Sequence, residues 1–170
     1  MRRRFAMPPV LGIDLGTTNY VVCVAAEGDP RVLTGGAGQP LIPSVVSFHP
    51  SGEVLVGDPA RERRLLDAKN TVYSVKRLIG RPFESPEVER ARTRFPFELA
   101  EGPTRGVLVH ARGESYTLPE ISAFVLREVR RIAEAEAGGG CDRAVITVPA
   151  NFNELQRSAT KAAGRVAGLE

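Results

Sequence analysis

With 170 residues, 42% of them hydrophobic and 25% charged, the chain is long enough to bury one ordinary globular core. A net charge of +3, scattered along the sequence, gives no basis for nucleic-acid binding, and no apolar run approaches the length of a membrane span. Cys23 and Cys141 form no C-x-x-C pair and read as reduced thiols of a cytoplasmic protein, not as metal ligands or a disulfide.

Arg2-Arg3-Arg4 is followed by Pro8 and Pro9 and not by the apolar run of a targeting signal, so residues 1–8 are expected to be a disordered basic tail. Short apolar runs then predict strands over 10–14, 20–25 and 31–33, separated by turns at 16–19 and 27–30, as an antiparallel meander. The first turn carries Gly12-Ile13-Asp14-Leu15-Gly16-Thr17-Thr18-Asn19. Gly16 tolerates backbone angles closed to other residues, and a tight Gly-Thr-Thr turn points several N–H groups and two hydroxyls into one small volume, an anion cradle. Asp14, at the end of the entering strand, can hold a hydrated cation, so the set suits a magnesium–phosphate group. A plain β-hairpin turn fits the same eight residues. No G-x-x-x-x-G-K-[ST] occurs, and Gly35-Gly36-Ala37-Gly38 reads as a loop.

Strands are predicted over 44–48 and 54–56, joined at Pro50-Ser51-Gly52. Asp58 is the expected N-cap of a helix to about residue 67, with Pro59 at its first position. A short helix is expected over 71–79, stopped by Gly80. On it Val72, Val75, Leu78 and Ile79 would pack inward while Lys76 falls on another face, either solvated or held near a phosphate. Weak helical signal follows over 86–94, then strands over 97–99, 106–111 and 115–117. Thr117 and Glu120 have capping-box spacing and open the clearest helix, 118–137, in which Ile121, Phe124, Val125, Val129 and Ile132 form an apolar stripe ended by Gly138-Gly139-Gly140. Residues 143–149 read as a buried strand, and Asn153 caps a helix through Val166, with Gly168 as its C-cap. Meander, helix, strand and helix together imply an α/β fold, with 45–116 inserted around a small sheet of its own. An α/β pattern calls for a further strand after this last helix, so the chain is expected to be cut short.

The order and spacing of Ile13-Asp14-Leu15-Gly16-Thr17-Thr18-Asn19, Pro43-Ser44-Val45-Val46, Val56-Gly57, Lys76-Arg77-Leu78-Ile79-Gly80-Arg81, Ile146-Thr147-Val148-Pro149 and the terminal Gly-Arg-x-Ala-Gly-Leu-Glu resemble the Hsp70 (DnaK-type) chaperone family over nearly the whole chain after the tail. D-x-G-T-T also occurs in sugar kinases of the same actin-like ATPase superfamily, but the lysine segment and Val148-Pro149-Ala150-Asn151-Phe152-Asn153 look like Hsp70.

The resemblance implies the first lobe of a nucleotide-binding domain. That lobe has an actin-like ATPase (ribonuclease H-like) fold: a mixed sheet with flanking helices, core about 9–44 and 117–170, and a smaller inserted α+β subdomain at about 45–116. The second lobe and peptide-binding domain would lie outside the sequence. It also implies ATP or ADP with Mg2+ as cofactors, Gly16, Thr17, Thr18 and Asn19 as the phosphate hairpin, and Asp14 as the acid that engages Mg2+ through water. Lys76 becomes the catalytic lysine beside the transferred phosphate, and Pro149 and Arg157 an allosteric relay. Unfolded polypeptides, a J-domain co-chaperone and a nucleotide exchange factor are the implied partners, with no nucleic acid and no membrane. Two departures are visible: Asn151 stands where the family usually has Tyr, and Leu41-Ile42 where threonines are common. Three functions follow as expectations: the ATP-binding lobe of a chaperone that couples hydrolysis to polypeptide binding, a non-catalytic lobe acting as an interaction module, and a sugar-kinase-like phosphotransferase.

Overall fold

The computed structural model describes residues 9–25, 30–137 and 139–170. The expected basic tail, residues 27–29 of the expected turn at 27–30, and Gly138 lie outside the described residues. Strands β1 (Val10–Leu15), β2 (Asn19–Ala25) and β3 (Arg31–Val32) form the predicted antiparallel meander. A short strand β4 (Ile42–Pro43), not anticipated, also pairs with β2. It accounts for Ile42 in the second departure from the family pattern: that side chain is buried, stands opposite Tyr20, and lies so close to Gly35 that a Cβ there would meet it at 2.9 Å, whereas nothing in the structure explains the exposed Leu41.

Alternation decides which face of this sheet is covered. Leu11, Ile13 and Leu15 of β1 and Tyr20, Val22 and Val24 of β2 point to one side and are buried there. Helix α3 (Leu118–Ala137) meets them with Ile121, Val125, Leu126, Val129 and Ile132. Its start is the capping box read from the sequence: Thr117 N–H donates to Glu120 Oε2 at 2.7 Å, and Glu120 N–H to Thr117 Oγ1 at 3.3 Å. Tyr20 is fully buried in this layer, its hydroxyl has no partner among the described residues, and burial pushes the phenol's pKa up.

Strand β11 (Arg143–Thr147) runs parallel to β1, and α4 (Glu154–Val166) returns over the same face as α3. The expected buried strand is instead an edge strand. Val145 is 63% exposed, and only Ala144 and Ile146 turn toward cover. An apolar run shows that a strand is favourable there but not that both of its faces are covered. Asn153 caps α4 as expected, with a reciprocal bond to Gln156.

Residues between β4 and α3 build two three-stranded sheets, β6-β5-β7 and β10-β9-β8. The first joins β5 (Val45–Phe48), β6 (Val54–Val56) and β7 (Thr71–Tyr73); the second joins β8 (Glu98–Glu101), β9 (Val107–Ala111) and β10 (Glu114–Thr117). An aromatic cluster fastens both to α3: Phe48 stacks on Tyr116 at 4.4 Å between centroids, and Phe124 meets both rings edge-on.

Two helix expectations in this region are corrected. Helix α1 spans only Asp58–Glu62, and its N-cap is Gly57, at φ 80°; Asp58 sits inside the first turn and pairs with Arg61 at 2.7 Å. The chain leaves the helix at Arg63 and continues in single turns as far as Asp67. The Asp67 carboxylate accepts from Asn70 at 2.7 Å, from Arg63 at 3.2 Å and from Arg112, whose guanidinium also holds the Phe48 carbonyl at 3.0 Å. This knot ties the β9–β10 turn to the β5 sheet. The expected helix over 71–79 is also absent: Thr71, Val72 and Tyr73 pair with Val45–Ser47 as β7, as β-branched and aromatic residues favour. Ser74 then turns left-handed at φ 58°, and only Val75–Leu78 coils, as a single 3-10 turn. Helix α2 (Pro86–Arg92) lies within its predicted segment.

Burial alone would raise the Asp67 carboxyl, but the Asn70 bond and the Arg112 and Arg63 guanidiniums outweigh it and hold the group below its ordinary value of 3.8. A depressed folded pKa stabilises above the unfolded value, and that contribution is lost as pH falls through the folded one. Asp67→Asn is therefore expected to lower the melting temperature at neutral pH, and to leave a smaller further drop than in the wild type when the pH is taken below 3.8. Parallel melting curves for the two proteins across that range would contradict this.

Candidate functional site

The β1–β2 turn is held from two sides. Ser44 Oγ donates to the Gly16 carbonyl at 3.0 Å, and Ser44 N–H to the Thr18 carbonyl at 2.9 Å. With those carbonyls tied back, the N–H groups of Thr17 and Thr18 donate to no backbone carbonyl among the described residues. Only glycine fits at position 16, because a Cβ there would stand 2.2 Å from the Asn19 carbonyl oxygen. The turn is thus a preformed ring of donors, with Thr18 exposed and Thr17 half-buried.

Asp14 is exposed at the end of β1, and its Oδ1 accepts from Thr147 Oγ1 at 2.7 Å. Lys76 approaches from the inserted segment. Expected on an exposed or phosphate-facing side of a helix, it lies instead in the 3-10 turn and is 9% exposed, with Nζ donating to the Leu15 carbonyl. Burial lowers the lysine pKa, and the Asp14 charge acts in the opposite sense. A buried ammonium must be paired or hydrogen-bonded, and Leu15 supplies the bond. The lysine thereby becomes a link between the inserted segment and the strand that presents Asp14.

Gly80 sets the other end of the 3-10 turn. It has φ 68°, and a Cβ there would meet the Gln156 backbone at 2.7 Å, so the turn is seated on the start of α4. Behind the hairpin, between Ser44, Ser74, Ser122 and Lys76, lies a void of about 20 Å³, room for one water.

The structure therefore brings Asp14, Gly16, Thr17, Thr18 and Lys76 together, while Asn19 opens β2 opposite Pro43. Pro149 and Arg157 are near each other on the loop between β11 and α4: the Pro149 carbonyl accepts from Phe152 N–H at 3.0 Å, and Arg157 donates to the carbonyls of Phe152 and Ala150 at 3.1 and 3.4 Å. Asn151 on that loop is exposed and forms no part of these contacts. Ser44 and Thr147 stand in the sequence within the motifs that carry the family resemblance, but nothing local gives either a role of its own. Strand pairing puts Ser44 beside the turn and Thr147 beside Asp14.

The donor set fits a magnesium-bound phosphate. An exposed carboxylate suits a hydrated hard cation, free N–H groups and hydroxyls suit phosphate oxygens, and one ammonium is fixed beside them. A family model described as Hsp70 protein matches residues 10–170, and the chain belongs to the Hsp70 family. Its mixed α/β fold is that of the actin-like ATPase lobe. The family's nucleotide-binding domain is of the chaperone ATPase type and generally takes ATP or ADP with Mg2+, and its members act on polypeptides with co-chaperones. Among the described residues, no helix is long and apolar enough to cross a membrane.

A buried ammonium costs stability that a site needing its charge retains. Lys76→Met keeps the length and removes the charge, so the melting temperature is expected to stay level or rise in calorimetry. A loss of more than about 2 kcal/mol would instead mark the Lys76–Leu15 bond as chiefly structural.

Proposed function

We propose that this chain supplies the ATP-binding first lobe of an Hsp70-type chaperone, with 9–44 and 117–170 as its core and 45–116 as the inserted subdomain. The observation that carries the reading is the convergence of the Asp14 carboxylate, the Gly16–Thr18 donor turn and the tethered Lys76 ammonium at the C-terminal end of β1. Gly16, Thr17, Thr18 and Asn19 hold the phosphates of ATP or ADP, and Asp14 holds Mg2+ through its water shell. When bound, Mg2+ neutralises phosphate charge and orients the terminal phosphate. Lys76 contributes a fixed positive charge where negative charge develops, and its hydrogen bond to the Leu15 carbonyl holds it in place.

Pro149 and Arg157 are the relay in this reading. The Arg157 guanidinium grips the Ala150 and Phe152 carbonyls in the loop after Pro149, so a displacement of that loop is transmitted to the start of α4. The proposed partners are unfolded polypeptides, a J-domain co-chaperone and a nucleotide exchange factor, in the cytoplasm.

Phosphoryl transfer depends on groups positioned around the whole phosphate. Asp14 and Thr18 are exposed, so the described residues line one side of such a cleft. The 170-residue chain is therefore expected to bind Mg-ATP weakly and to show no turnover above background in a phosphate-release assay. Saturable hydrolysis that disappears in Lys76→Ala would contradict this and place a complete active site in the chain. Titration calorimetry showing no Mg-ATP binding at any concentration would favour a non-catalytic interaction module.

A further inference from the structure

Thr147 is the last residue of β11, directly opposite Asp14 in the parallel register of β1. Residues in register share a sheet face, so the two side chains stand next to each other on the open side. Thr147 Oγ1 donates to Asp14 Oδ1 at 2.7 Å, the one side-chain bond that Asp14 makes among the described residues. It is also the single hydroxyl in the run Ala144-Val145-Ile146-Thr147-Val148. A β-branched side chain on a strand has few χ1 choices, so the backbone sets the direction of this hydroxyl. It therefore fixes the carboxylate from one side and leaves Oδ2 free to accept from elsewhere. The backbone ladder already joins the two strands here, and both side chains are exposed, so the bond is not needed to hold the sheet together.

Carboxylates that serve a metal are commonly held by a hydrogen bond from a neighbour that never touches the metal. We infer that Thr147 is a positioning residue: its hydroxyl orients Asp14 toward the hydrated divalent cation of a polyphosphate seated on the Gly16–Thr18 turn. This rests on the proposed role of Asp14, and the test separates the two.

The isotopically labelled full chain is titrated with Mn-ATP, and paramagnetic broadening of the Thr17 and Thr18 amide signals is followed by NMR, a readout suited to weak binding. Thr147→Val keeps the shape and removes the hydroxyl; Thr147→Ser keeps the hydroxyl. Thr147→Val is expected to raise the half-broadening concentration about tenfold, the lower end of the effect of removing such a neighbour. Thr147→Ser should titrate close to the wild type, and melting curves of both variants should match it. A merely structural threonine would give two variants ordered by their melting temperatures, with no rescue by serine. If Asp14→Asn loses the broadening while Thr147→Val titrates like the wild type, Asp14 keeps its role and the positioning role of Thr147 is overturned. If Asp14→Asn itself titrates like the wild type, the metal reading of Asp14 falls and the inference falls with it.

Discussion

The need to satisfy one buried ammonium organises the site. Lys76 sits in a tight 3-10 turn whose two ends are fixed independently, by the left-handed Ser74 after β7 and by Gly80 pressed on the start of α4. Its charge is nearly removed from water, and the Leu15 carbonyl at the end of β1 is its partner. Leu15 lies between Asp14 and Gly16, so the bond that satisfies the lysine also places a positive charge beside the carboxylate and the donor turn. Without it, the inserted segment could pack on α3 through Phe48, Tyr116 and Phe124 and still leave the ammonium unrelated to β1.

The same economy of parts recurs at the hairpin. A tight turn with its N–H groups facing outward is unfavourable unless its carbonyls are held, and Ser44 holds two of them with one residue. Ser44 is in turn positioned because Ile42 and Pro43 pair with β2, so a two-residue strand with a buried isoleucine underlies the donor turn. The donor ring and the carboxylate are thus held by contacts within the chain itself, which leaves little reorganisation for binding.

Much of the architecture was legible because its signals are local and periodic. The meander, the α3 stripe, the Thr117–Glu120 box and the Asn153 cap follow from spacing alone. The readings that failed depend on distant partners. Asp67 is bound by Arg112 from the β9–β10 turn and lies beyond a helix that stops at Glu62, and Thr71–Tyr73 become a strand because β5 offers an edge. Residues 143–147 look apolar enough to be buried, but cover is a property of neighbouring elements. At the site, Asp14, Gly16, Thr17 and Thr18 could be read as a group from one short segment. For Lys76 the sequence left a solvated and a phosphate-facing position both open, because its burial and its bond to a carbonyl sixty-one residues away are consequences of the tertiary fold.

The most direct test of a preformed cradle is amide NMR of the full chain during titration with Mg-ADP. The largest shift changes are expected at Gly16, Thr17 and Thr18, with a smaller response at Lys76 and none in the separate apolar groove that Pro103, Leu108, Leu155 and Val166 line. Shift changes concentrated in that groove, or absent from residues 14–18 at saturating ligand, would contradict the assignment of this turn as the phosphate site.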